Sequence, residues 1–212
     1  MAVNPDCGMS RLSRSRWLLW CLLLASWVVV PAAMAGKFTR VVIDPGHGGY
    51  DNGGMIGVLY EKHLALDVSF RLKEYLAKKG VKSVMTRSRD NFLPLVDRSA
   101  IANKIKGSIF VSIHFNWVSY GGPSGTETFY FSPASAPLAT AVQTSIATSL
   151  GTPNRGVKFA RYKVIRSATV PAALVEGGFI STAKERSKIL DPRYRQRLAE
   201  AIGNGILQYR RQ

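Results

Sequence analysis

Val41-Val42-Ile43-Asp44-Pro45-Gly46-His47-Gly48-Gly49 is a short apolar, β-branched run that stops at a Pro/Gly turn carrying a histidine. Such a run reads as a buried strand, and its turn delivers a ligand-type side chain to the strand's C-terminal edge. The chain has three histidines. A second, His114, closes another apolar run, Ile109-Phe110-Val111-Ser112-Ile113-His114. A third run, Ala172-Ala173-Leu174-Val175, ends in Glu176 and two glycines. In open α/β sheets ligands bind at the carboxyl ends of the strands, so these three termini outline a site on one rim.

The elements between them fit that frame. Lys37 to Ile43 is the first strand, and Glu61 to Lys79 is a helix with Leu64, Val68, Leu72, Tyr75 and Leu76 on one stripe, stopped by Gly80. A strand follows at Val81 to Thr86, then a helix from Pro94 to Ile105 with Pro in its first turn, then the His114 strand. Gly125 to Phe131 alternates as a strand, and Ala136 to Leu150 is helical. A loop is expected around Asn154 to Gly156, short strands at Tyr162 to Arg166 and Pro171 to Val175, and a closing helix from Pro192 to Arg210. Strands alternating with helices predict a single three-layer α/β domain, a mostly parallel twisted sheet with helices on both faces.

The first 35 residues stand apart. Arg11, Arg14 and Arg16 precede a largely apolar run of 14 residues from Trp17 to Val30, and Ala33-Met34-Ala35 supplies a small-x-small cleavage pattern. A bilayer span needs roughly 20 apolar residues, so the run reads as a signal peptide over 1–35, with a mature domain over 36–212. Export to the periplasm or cell envelope follows, with no stable membrane anchor after cleavage. Cys7 and Cys21 both fall in the leader. Thiolate metal sites, cysteine nucleophiles and disulfides are therefore excluded from the mature domain. The chain carries 29 basic and 13 acidic residues, and removing Arg11, Arg14, Arg16 and Asp6 leaves 26 against 12, a net charge of +14. That excess favours anionic partners. For an exported chain without a nucleic-acid motif, cell-wall polymers are the expected partners rather than nucleic acid, with a solvated basic surface that has no partner as the alternative. A monomer is expected.

A catalytic zinc site commonly takes three N/O ligands and leaves one position open. His47 and His114 offer two nitrogens, and Glu61 is the best third candidate because a first-turn glutamate points back over the strand ends and suits the helix dipole. Read from the residues alone, core or loop histidines and a capping glutamate remain alternatives. Glu176 suits a general base that takes a proton from water and passes it to a leaving nitrogen, with a salt-bridged turn carboxylate as its alternative. Its two glycines are expected to admit a substrate backbone.

The motifs D-P-G-H-G-G, E-K-H-L-A-L-D, T-R-S-R-D-N-F-L-P-L-V-D-R-S-A-I-A-N, S-I-H-F-N and P-A-A-L-V-E-G-G-F-I-S together resemble the zinc-dependent N-acetylmuramoyl-L-alanine amidases of the third amidase family, collinearly from Arg40 to Tyr209. The resemblance implies one zinc held by His47, Glu61 and His114, a catalytic Glu176, and peptidoglycan as substrate, cut between the lactyl group of N-acetylmuramic acid and L-alanine. Phe115 and Trp117 around Asn116 depart from the family's small residues and are expected to shape the groove wall. His63 is read as a surface residue, Asp44 as a possible partner of a ligand histidine, and Arg98 and Asn103 as structural. Trp117, Tyr120, Phe129, Tyr130 and Phe131 are either a sugar platform or core. A zinc peptidase acting on the stem peptide and a silent wall-binding module are the competing functions. Ser132 to Val175 leaves too little chain for the helix that blocks the zinc site in some division amidases, and no lid domain is read before Lys37 or after Tyr209. Activity without an activator is therefore expected.

Overall fold

The computed structural model describes residues 37–119 and 122–212. The expected leader and Tyr120 lie outside the described residues. The strands are β1 (Arg40–Pro45), β2 (Met55–Ile56), β3 (Leu59–Tyr60), β4 (Ser83–Met85), β5 (Ser108–Asn116), β6 (Thr126–Tyr130), β7 (Asn154–Phe159) and β8 (Ala172–Phe179). The helices are α1 (Glu61–Lys78), α2 (Leu95–Asn103), α3 (Ala136–Leu150), α4 (Lys163–Arg166), α5 (Ala183–Leu190) and α6 (Pro192–Tyr209). Six strands form one sheet in the order β4-β1-β5-β8-β6-β7, and β2 and β3 pair as a separate hairpin. Pairing is parallel throughout the large sheet except where β6 runs antiparallel to β8. The three-layer α/β expectation is met.

Period-2 alternation sorts the strands' side chains to two faces. Val41, Ile43, Ile109, Val111, Ile113, Phe115, Ala173 and Val175 join the core under α1, α3 and α6. Val42, Phe110, Phe129, Ala172 and Leu174 join a smaller core on the opposite face, with Ala102 of α2 and Val164 and Ile165 of α4. Continuing this second parity along β5 and β8 brings His114 and Glu176 out beyond the smaller core, and they are direct register partners. Helix α6 begins at Pro192, with Asp191 capping the Arg193 amide at 2.8 Å, and buries Leu198, Ala201, Ile202, Ile206 and Tyr209.

Five details differ from these expectations. Asn154 to Phe159 is an edge strand rather than a loop, and Lys163 to Arg166 is a helical turn rather than a strand. Helix α5 and the β2–β3 hairpin were not expected. Pro94 sits at the N-cap of α2, one position before the helix. Arg98 and Asn103 are structural, as read. Asn103 donates to the Ser167 carbonyl at 2.9 Å and accepts from the Thr169 amide at 2.8 Å, tying α2 to the segment before β8.

Candidate active site and metal centre

His47 follows β1 with φ +58°, the one non-glycine residue at positive φ among those described. That conformation is costly for a residue with a Cβ and persists where its surroundings fix it. The fixing contacts come from two buried arginines. Arg98 donates to the carbonyls of Pro45, His47 and Leu93 at 2.7, 2.7 and 2.9 Å and pairs with buried Asp44 at 3.2 Å. Arg87 donates to the carbonyls of Pro45 and Gly46 at 3.0 and 2.7 Å. Burial, and then the neighbouring Arg98 charge, push the Arg87 guanidinium down to about 10. Asp44 also accepts from Thr86 and Ser112 at 2.6 and 2.7 Å. It is thus an anchor of the turn, not a histidine partner.

The partner of His47 is Asp51, whose Oδ1 lies 2.9 Å from Nδ1. With Nδ1–H donated to a carboxylate, Nε2 is left to face the site. There it meets Glu61 Oε2 at 3.1 Å. Glu61 opens α1 and is buried. Its Oε1 lies 2.8 Å from His114 Nδ1 and accepts from the Phe115 amide at 3.0 Å, while Oε2 accepts from the Gly54 amide at 2.8 Å. Burial alone would raise the Glu61 carboxyl, but hydrogen bonds from His114 and then His47 outweigh it and hold it well below the usual carboxylate range. For His47, burial lowers the imidazole, and Glu61 and Asp51 outweigh that to raise it. The two imidazole rings stand edge to face with centroids 4.8 Å apart.

These three side chains, which the sequence nominated separately, meet in space. Their donor atoms all lie within 4.8 Å of one another, and two neutral nitrogens with one carboxylate are a donor set that suits a divalent cation with an open position. The pocket has no room for bulk on its glycine side. A Cβ at Gly46 would sit 2.3 Å from His114 Cε1, and one at Gly53 would sit 2.6 Å from Glu61 Oε2. The cluster therefore fits a metal ion.

Glu176, beside His114 across the β5–β8 ladder, is buried at its Oε2 with no hydrogen-bond partner. Burial, then the Glu61 and Glu127 charges, raise its carboxyl well above the ordinary value. A buried, unpaired carboxyl group in a cleft is a candidate for proton transfer. A cavity of about 280 Å³ opens over it, lined by His47, His114, Glu176, Leu95, Leu174 and residues 162–164.

The other candidate residues sort by burial. Gly177 and Gly178 serve packing, not a substrate backbone. A Cβ at Gly177 would meet Leu198 at 2.6 Å and Phe115 at 3.0 Å, and Gly178 has φ +128°. Phe115 is core, whereas Trp117 is 46% exposed and covers Gly54. Phe129 is core as well, and Tyr130 and Phe131 pack on Phe159. His63 is a surface residue, near Asp90. Asp51 and Glu127 were missed. Asp51 sits in a glycine-rich loop without periodicity, and Glu127 reads as one more position of an alternating strand.

The N-acetylmuramoyl-L-alanine amidase family model matches residues 41–208. The chain belongs to this family. It is 37% identical over 175 residues to the Bacillus subtilis N-acetylmuramoyl-L-alanine amidase LytC, covering 81% of this chain and 35% of that one. It is 36% identical over 203 residues to the B. subtilis protein YqiI, covering 92% and 98%. The chain thus spans about a third of LytC but nearly all of YqiI. Its fold superposes on the amidase AmiC2 of Nostoc punctiforme with a TM-score of 0.79 at 36% identity, over 84% of this chain and 99% of that one.

Proposed function

We propose that this chain is a zinc-dependent hydrolase that cuts the amide between the lactyl group of N-acetylmuramic acid and L-alanine in peptidoglycan. The observation that carries the reading is the unpartnered Glu176 oxygen beside the three-donor cluster of His47, Glu61 and His114, in a chain of this family. Zinc held by those three residues would supply Lewis-acid polarisation of the scissile carbonyl. Glu176 accepts a proton from the attacking water and delivers it to the leaving nitrogen. Burial raises its carboxyl above the ordinary value, the direction that favours holding the proton between the two transfers. Asp51 holds His47 in the tautomer that presents Nε2, and Arg98 and Arg87 hold the turn that carries it.

Residues 1–35 are read as an export leader and 36–212 as the catalytic domain, which places the enzyme in the envelope with its substrate. Among the described residues no helix is long and apolar enough to cross a membrane. The test is mass spectrometry of purified muropeptides incubated with the protein, with and without chelator. Metal-dependent release of intact stem peptides from the sugar supports the reading. Release of amino acids or shortened peptides would instead make it a peptidase.

A further inference from the structure

The C-terminal rim of the sheet does not end at Glu176. Antiparallel pairing sets Glu127 of β6 directly opposite Glu176, so the two carboxylates stand side by side on one face. They are treated very differently. Glu176 has an oxygen with no partner, whereas buried Glu127 accepts from Asn116 Nδ2 at 2.9 Å through Oε1, and from Arg155 Nε at 3.1 Å and Lys158 Nζ through Oε2. Both cations come from the edge strand β7, and two of them face one carboxylate.

That leaves a surplus positive charge whose donors are already oriented. Arg155 spends Nε on Glu127, and its guanidinium carbon lies 5.2 Å from the centre of the Phe179 ring. Among the described residues nothing besides Glu127 accepts from either cation, so the Arg155 terminal nitrogens and part of the Lys158 ammonium remain available. Their side chains are 32% and 41% exposed, against 4% for Glu127. A buried carboxylate thus holds two half-exposed cations in place at the end of the row His47, His114, Glu176, Glu127.

We propose that Arg155 and Lys158 form an anion subsite that reads a free carboxylate on the peptide side of the scissile amide. This rests on the amidase reading above. The β7 strand is two strand spacings from Glu176, about 10 Å. A peptide leaving the cleaved bond advances about 3.8 Å per residue, so the carboxylate of the second stem residue falls within reach of these long side chains. The sugar side offers no competing anion, because the lactyl carboxyl is itself consumed in the amide. Arg presents a fork that matches a carboxylate, and Lys adds a mobile point charge.

The experiment compares two synthetic N-acetylmuramoyl-L-alanyl peptides, identical except that the second residue carries a free α-carboxylate in one and an α-carboxamide in the other. For the full protein kcat/KM should favour the carboxylate by about tenfold, mainly through KM, the discount from a buried charged bond reflecting partial exposure. Lys158→Gln and Arg155→Gln, each leaving one cation on Glu127, should shrink that preference, read as the ratio of kcat/KM on the carboxylate to kcat/KM on the carboxamide within each variant. Equal kcat/KM on the two peptides for the parent protein, or variants that lose the same factor on both, would overturn the subsite and leave the amidase reading intact. Turnover of neither peptide by the metal-loaded parent would overturn the amidase reading and the subsite with it.

Discussion

Arg98→Met is the sharpest probe of how this fold holds its site. The guanidinium is 2% exposed and Asp44 is 1% exposed, so the substitution strands a buried carboxylate and removes donors from the Pro45, His47 and Leu93 carbonyls. Breaking a buried pair on one side costs about 3–5 kcal/mol. Two features favour the lower end. Asp44 keeps the Thr86 and Ser112 hydroxyls, and the Arg87 charge still acts on it. Pulling the other way, the His47 and Leu93 carbonyls lose a donor each, at about 1–3 kcal/mol if left unmade. A loss of about 3–5 kcal/mol stands, or roughly 6–20 °C in Tm for a domain of this size. Urea unfolding of metal-free protein at neutral pH measures it. Arg98→Lys should recover little, because one ammonium cannot span acceptors that diverge as these do. If Arg98→Met unfolds within about 1 kcal/mol of the parent, the arginine is not what holds the strained His47 turn, and the account of the site's preorganisation fails.

Removing the His47 partner with Asp51→Ala should weaken metal affinity about 10- to 100-fold in competition with a chromogenic chelator; unchanged affinity would mean the loop alone orients the ring. Glu176→Gln should keep the metal and lose roughly 10² to 10⁴-fold in rate, whereas His114→Ala should lose both. Because the Glu176 carboxyl is raised above its ordinary 4.5, it is protonated in folded and unfolded states alike well below that value. Metal-free stability is then lost as pH rises from there through the folded pKa, since only the unfolded chain ionises freely. Metal-free Glu176→Gln should therefore out-melt the parent by a margin that grows with pH across this window, and a constant margin would refute the burial argument. With a formal net charge of +16, binding to purified sacculi should weaken as salt rises; salt-independent pelleting would point to uncharged contacts. In Ser132 to Val175 the helices are α3, α4 and one short 3-10 turn, so the purified protein should act on soluble muropeptides with no other protein added, and silence relieved by a partner would show that this segment is misread.

What the sequence disclosed, and what it withheld, follows from where each signal lives. Strands β1, β5 and β8 are buried on both faces, so they read as continuous apolar runs with a polar residue at the stop, and His47, His114 and Glu176 stood out at once. Glu61 was reachable because helix starts carry their own chemistry. The errors fall where local signals are weak. Asn-Arg-Gly-Val-Lys-Phe is a strand only because β6 offers it a ladder, and its charges and glycine look like a loop. Residues 162–166 are too few to tell a helical turn from a strand by period. Helix α5 buries only Glu185 and Ile189 and so shows little stripe.

Glu127, Arg155 and Lys158 show a further limit. Alternation within β6 assigns Glu127 to a face, but its neighbours depend on register and direction, which no strand carries by itself. Had β6 entered parallel, or slipped by one residue, Glu127 would leave Glu176's side or turn to the opposite core. The antiparallel return of β6 is therefore a chemical decision as well as a topological one. It sets a second carboxylate opposite the one that must stay unpartnered, and the charge of that second carboxylate requires cations. The edge strand β7 supplies two where one would balance it. The pairing that keeps Glu176 in a negative neighbourhood is thus the same pairing that leaves a positive surplus beside it, and the carboxylate-against-carboxamide comparison measures that surplus directly.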